Sequence, residues 1–141
     1  MPSFEIALAD LLTSGPILQV FIGPSRELIN ALGSEVAAPI PVSALIDTGA
    51  AATVITTETA LLLGLRSVGA MSIHTPTTID PVLCRQFHVN VYLSTLFAIE
   101  NVMVIEAPLT GQPFQCLIGR DVLSHGVLTY DGVRNRFGLT F

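Results

Sequence analysis

Leu45-Ile46-Asp47-Thr48-Gly49-Ala50 places an acid directly after an apolar run that ends a short strand, Val42–Ile46. Burying an unpaired carboxylate is costly, so an acid at the end of a core strand needs a reason. Such local contradictions concentrate at functional sites. Gly49 permits a tight turn and lets a backbone N–H approach the carboxylate, and the Thr48 hydroxyl can hydrogen-bond a nearby backbone. Three residues alone are equally compatible with an acid that caps a turn.

Working outward, short apolar runs are punctuated by Gly and Pro, which predicts an all-β domain with a few short helices. Upstream, Ile17–Ile22 reads as a strand between Gly15-Pro16 and Gly23-Pro24. Ser25 caps a helix running to Leu32, with Gly33 as its terminator. Downstream, Thr56-Thr57-Glu58 opens a second helix, Thr59 to Leu63, ended by Gly64. Gly69–His74 and Val82–Leu93 form a hairpin whose tip is Thr75-Pro76-Thr77-Thr78-Ile79-Asp80-Pro81. Strands follow at Phe97–Ile105 and Phe114–Ile118, then a helix from Arg120 to His125. Val127–Tyr130 pairs with Arg136–Phe141 across Asp131-Gly132. With 141 residues and neither repeat nor linker, the chain reads as one domain, 1–141.

Composition narrows the function. Half of the residues are hydrophobic and 12 % are charged, against a usual ~25 %. That composition is incompatible with disorder. Six Lys and Arg in a chain of net charge −5 exclude a nucleic-acid binder working through a basic face. The charge-free run Leu11–Ser25 is broken by Gly15, Pro16, Gly23 and Pro24 and falls short of a membrane span. With no basic, continuously apolar start, the reading is a soluble, cytoplasmic protein without membrane partners. Cys84 and Cys116 lack metal spacing, as do His74, His88 and His125, so neither a metal nor a cofactor is expected. Ser124-His125 lacks the frame of a nucleophilic relay, and His125 fits a helix C-terminus better. The apolar surplus suggests that another subunit covers some surface.

A second motif supplies context for the first. Leu117-Ile118-Gly119-Arg120-Asp121 is an apolar strand, a glycine and a helix start, well downstream of Asp47. In this order, Leu45–Ala50, a hairpin around Thr75–Pro81 and Leu117–Asp121 resemble the retropepsin-like aspartic proteases, the single-domain family that includes the retroviral proteases. Arg85-Gln86-Phe87 also looks like their descending flap arm. The resemblance covers the chain from about Gly15 onward and fits least well over Met1–Ser14 and Arg26–Pro41. It implies a closed, barrel-like acid-protease fold and an endopeptidase.

The chain has one Asp-Thr-Gly, whereas aspartic peptidase chemistry needs two carboxylates facing one water. The second must come from another copy across a two-fold axis, which makes the expected partner the chain itself. By resemblance, Asp47, Thr48 and Gly49 form the catalytic loop. Ala50, Thr75, Pro76, Thr77, Thr78, Ile79, Val82 and Leu117 face a peptide or protein substrate, and Gly119, Arg120 and Asp121 support the site. The resemblance also implies that terminal strands of the two protomers interleave, with Phe137–Phe141 suited to that role. Two departures stand out. Ala51 replaces an acid that pairs with the motif arginine in many retroviral members, so Arg120 must find a backbone carbonyl or a partner's acid. The hairpin tip has prolines and no glycine. These departures sustain an alternative, a non-catalytic dimeric module that binds peptides or serves assembly.

Overall fold

The computed structural model describes residues 2–73 and 80–141. Ten strands and four short helices follow in chain order. They are β1 (Ser3–Ala7), α1 (Leu11–Ser14), β2 (Ile17–Pro24), α2 (Arg26–Leu32), β3 (Ile40–Ile46), β4 (Val54–Ile55), α3 (Thr57–Leu62), β5 (Gly69–Ile73), β6 (Val82–Ser94), β7 (Phe97–Glu106), β8 (Cys116–Ile118), α4 (Arg120–Leu123), β9 (Val127–Asp131) and β10 (Arg136–Thr140).

Alternation of apolar and polar residues builds the larger sheet. Leu18, Val20 and Ile22 of β2, Val42, Ala44 and Ile46 of β3, and Phe87, Val89, Val91 and Leu93 of β6 are all buried in one core. The strand order is β2-β3-β8-β4-β7-β6-β5, and a further β2–β6 pairing, from Phe21↔Tyr92 to Pro24↔Val89, closes six of these strands into a barrel. Closure removes the free edges that an open sheet would expose. Strand β5 stays outside the barrel, paired with the first part of β6 from Gly69↔Gln86 to Ile73↔Val82. This is the hairpin expected from the sequence. Its Arg85 makes two hydrogen bonds to the Glu106 carboxylate at the end of β7, Nε to Oε1 at 2.9 Å and Nη2 to Oε2 at 2.7 Å. These bonds hold the Glu106 carboxyl below its ordinary range.

The helices begin and end where their caps say. Ser25 accepts the Leu28 N–H, Thr56 accepts the Thr59 N–H, and the chain turns to positive φ at Gly33 (57°) and Gly64 (60°). Helix α4 is shorter than the sequence suggests, ending at Leu123 rather than His125.

The smaller sheet corrects an expectation. Its order is β1-β10-β9, all antiparallel, so β10 lies in the middle with both edges occupied by its own chain. Phe137, Leu139 and Phe141 are buried in the protomer's own core, and the Phe141 ring stacks on Phe97 at 4.2 Å. Residues 137–141 therefore cannot interleave with a second copy. The reason is β1, whose Phe4 and Ile6 pack beside the core and whose register runs from Ser3↔Thr140 to Ala7↔Arg136. Among the described residues, no helix is long and apolar enough to cross a membrane.

Candidate active site

The two sequence motifs meet through β8. This strand runs parallel to β3 with Ile46↔Ile118, and antiparallel to β4 with Val54↔Leu117. It is thus wedged between the strand that enters the Asp47 turn and the strand that leaves it. The Asp47 N–H donates to the Ile118 carbonyl at 2.9 Å, so the ladder continues into the turn itself.

Asp47 is half-buried at the mouth of the barrel. Its Oδ1 accepts the Gly49 N–H at 2.9 Å, and its carbonyl accepts the Ala50 N–H at 3.2 Å. Gly49 eases this approach, because a Cβ there would lie 3.1 Å from Oδ1 and push the carboxylate back by a few tenths of an ångström. Among the described residues, Oδ2 accepts no hydrogen bond, and Thr48 and Gly49 are exposed beside it. The turn therefore fixes one oxygen and leaves the other without a hydrogen bond among the described residues.

Arg120 finds a partner in its own chain. Its guanidinium donates to the Thr48 carbonyl at 2.7 Å, which resolves the question raised by Ala51 in favour of a backbone carbonyl. The Arg120 and Asp121 N–H groups donate to the carbonyls of Ala50 and Ala51 at 2.8 and 3.3 Å. The start of α4 thus grips the turn at three carbonyls, those of Thr48, Ala50 and Ala51.

A residue that sequence reasoning missed completes the grip. Thr53 is fully buried. Its hydroxyl donates to Asp121 Oδ1 at 2.7 Å and accepts the Gly119 N–H at 3.1 Å, while its own N–H donates to Asp121 Oδ2 at 3.0 Å. Asp121 Oδ1 also accepts the Val122 N–H at 2.8 Å. Asp121 therefore supports the helix start, as its position implies, and also ties β8 and α4 to the segment after the turn. The only sequence signal was a polar residue lodged between Ala-Ala and Val-Ile.

Gly119 lets these backbones touch. A Cβ at this position would sit 2.6 Å from the Ala52 carbonyl carbon and 2.8 Å from its oxygen. Backbone atoms cannot swing aside as a long side chain can. We expect Gly119→Ala to cost about 1–3 kcal/mol through overpacking. Urea unfolding checks this, and a loss under 0.5 kcal/mol contradicts the contact.

The remaining sequence candidates sort clearly. Ala50 and Leu117 are half-buried beside the turn, whereas Val82 is exposed at the start of β6, on the hairpin. Thr75, Pro76, Thr77, Thr78 and Ile79 lie outside the described residues. Ser124 and His125 do not act on each other: Ser124 Oγ donates to the Asp121 carbonyl at 2.9 Å, and His125 Nδ1 lies 3.1 Å from the same oxygen. Cys116, on β8, is fully buried, and burial pushes its thiol up to about 12. Among the described residues, no group of three or more His, Cys, Asp or Glu could hold a metal ion.

Comparison with known proteins bears on the fold and the family. The chain is similar in fold to a retropepsin-like aspartic protease from Rickettsia conorii, with a TM-score of 0.59 and 16 % identity over 98 % of this chain and 89 % of that one. The retroviral protease-like domain of Ddi1 from Leishmania major aligns over 89 % of this chain and 93 % of that one, with 18 % identity and a TM-score of 0.45. No curated protein matches the chain. The family described as aspartyl protease matches residues 38–122, which span β3, the Asp47 turn, the hairpin, β8 and the start of α4. The chain belongs to the aspartyl protease family.

Proposed function

We propose that the protein is a homodimeric aspartic endopeptidase whose dyad is Asp47 of one protomer and Asp47 of its partner. The observation that carries this reading is the single Asp-Thr-Gly turn in a chain of the aspartyl protease family, which supplies one of the two carboxylates the chemistry needs. Its turn is held by hydrogen bonds from β8 and α4, and among the described residues only one of its carboxylate oxygens accepts a hydrogen bond.

Two carboxylates a few ångströms apart cannot both ionise cheaply, so the pair holds one proton, as in aspartic proteases generally. The ionised Asp47 takes a proton from the bridging water, whose oxygen attacks the scissile carbonyl carbon. The protonated Asp47 gives its proton to the carbonyl oxygen, forming a neutral tetrahedral diol. Collapse of the diol breaks the C–N bond as one diol hydroxyl returns its proton to the ionised Asp47 and the leaving nitrogen takes the proton held by the other Asp47, so the dyad again holds one proton. The titration belongs to the pair and not to either residue.

The substrate is an extended peptide laid between the dyad and the hairpin, bound by main-chain hydrogen bonds like an added strand. Ala50, Leu117 and Val82 contact its side chains. Bulky apolar residues on both sides of the scissile bond are favoured. Closure of the hairpin excludes water from the reacting centre.

A shared dyad makes activity depend on assembly. Cleavage of a peptide library, mapped by mass spectrometry from mildly acidic to neutral pH, is expected to rise more steeply than the first power of enzyme concentration below the dimer Kd. Cleavage strictly proportional to enzyme, from a species of monomer mass, overturns the reading. A stable dimer without cleavage at any pH replaces it with the peptide-binding module.

A further inference from the structure

A cavity of about 230 Å³ opens on the outer side of the barrel, and no residue of the Asp47 turn lines it. Helix α2 forms one wall through Glu27 and Leu28. The connection from α3 to β5 forms another through Leu65, Arg66 and Val68. His88 of β6, half-buried, completes the lining. Its neighbours Phe87 and Val89 are buried in the core, so alternation turns His88 out of the barrel and into this cavity. Helix α2 lies outside residues 38–122, the segment the aspartyl protease family accounts for, and the dyad chemistry gives this cavity no task.

Basic side chains are few in this protein, and nearly all of them are engaged. The chain has no lysine and six arginines. Arg26, Arg85, Arg134 and Arg136 are ion-paired with acids, and Arg120 donates to the Thr48 carbonyl. Among the described residues, Arg66 has no partner of either kind, although Glu27 lines the same cavity. A guanidinium matches a carboxylate through two parallel N–H donors. The His88 ring can add a further donor, and the Glu27 carboxylate accepts from an ammonium group. Leu28, Leu65 and Val68 supply apolar surface to the same space.

Size and charge narrow the occupant. Sites for drug-sized ligands hold about 300–1,000 Å³, so this cavity takes a smaller molecule. A net charge of −5 disfavours the approach of a free anion, whereas a zwitterion carries no net charge. We infer that the cavity binds a free α-amino acid with a branched apolar side chain. Its carboxylate sits on Arg66 and His88, its ammonium on Glu27, and its side chain against Leu28, Leu65 and Val68. The bound molecule bridges α2 to the root of the hairpin, because the Val68 N–H donates to the Gln86 carbonyl at 2.8 Å just before β5 begins.

Titration of the full chain with L-leucine, followed by amide NMR, tests this assignment. Saturable shifts are expected at Leu28, Val68 and His88, with a Kd on the order of 1 mM for so small a ligand. N-acetyl-L-leucine lacks the ammonium and L-leucinamide lacks the carboxylate, and each should bind at least about tenfold more weakly. Arg66→Gln and Glu27→Gln, both at exposed positions, should weaken L-leucine by a similar factor without unfolding the chain. L-leucinamide should bind Arg66→Gln and the wild type alike, because the group that Arg66 holds is already gone. No saturation by about 50 mM L-leucine overturns the site. N-acetyl-L-leucine binding as well as L-leucine also overturns it, since that is the behaviour of a site for a peptide C-terminus. None of these readouts involves cleavage, so failure here leaves the Asp47 dyad standing, and an inactive Asp47 leaves this site standing.

Discussion

Asp47→Asn yields a folded protein whose cleavage rate is at least about 10³-fold below that of the wild type, the scale expected when a positioned acid–base group is lost. Asparagine has the same shape, and its Oδ1 still accepts the Gly49 N–H, so the turn keeps its geometry. What it loses is the ability to carry or release the dyad proton. A mixing experiment makes the prediction sharper. With equal amounts of the two chains at exchange equilibrium, about one quarter of the dimers carry two aspartates, so activity per wild-type chain falls by about half. Adding excess Asp47→Asn protein should drive it toward zero. Activity that tracks the wild-type chains alone, unaffected by the variant, would mean that each chain works by itself.

Asp121→Ala carries the second large effect, on stability. The carboxylate accepts the Thr53 N–H, the Thr53 hydroxyl and the Val122 N–H at 2.7 to 3.0 Å. Two of these donors belong to a residue with no access to water. Removing the acceptor leaves them unsatisfied at about 1–3 kcal/mol each, for a total of about 3 kcal/mol or more. In a domain of this size that lowers Tm by about 10 °C. Cleavage should fall too, because the clamp that ties β8 and α4 to the Asp47 turn is gone. Thermal unfolding of the variant against the wild type is the check, and a shift of less than about 2 °C rules out the clamp as described. Thr53→Val, which removes the hydroxyl and keeps the N–H, should lie between the two.

The parts of this molecule that were legible in its sequence are those whose cause is local. The β3 run into Asp47, the β8 run into Gly119, and helices α2 and α3 with their Ser25 and Thr56 caps each declare themselves within about ten residues. Strand β1 did not, because five residues with only Phe4 and Ile6 facing the core carry too little pattern without their partner β10. That omission misassigned Phe137–Phe141, whose apolar face suits an interface between chains as well as a core within one. Thr53 was invisible for the same kind of reason. Its role exists only because Asp121, sixty-eight positions away, reaches it. The acid and its turn could be read directly, whereas the network that holds the turn is a product of tertiary packing.

That separation along the chain has a consequence for how the protein is made. The turn at Asp47 is held by β8 and by Arg120, which contacts Thr48 across seventy-two positions of sequence. Long-range pairings form late, since the loop they close must first give up its entropy. During synthesis, the acid emerges early but stays unanchored until Arg120 and Asp121 have left the ribosome and β8 has slid between β3 and β4. The nascent chain therefore holds Asp47 without a fixed turn around it until the barrel has closed. Maturation of the site is timed by the last strand to enter the barrel.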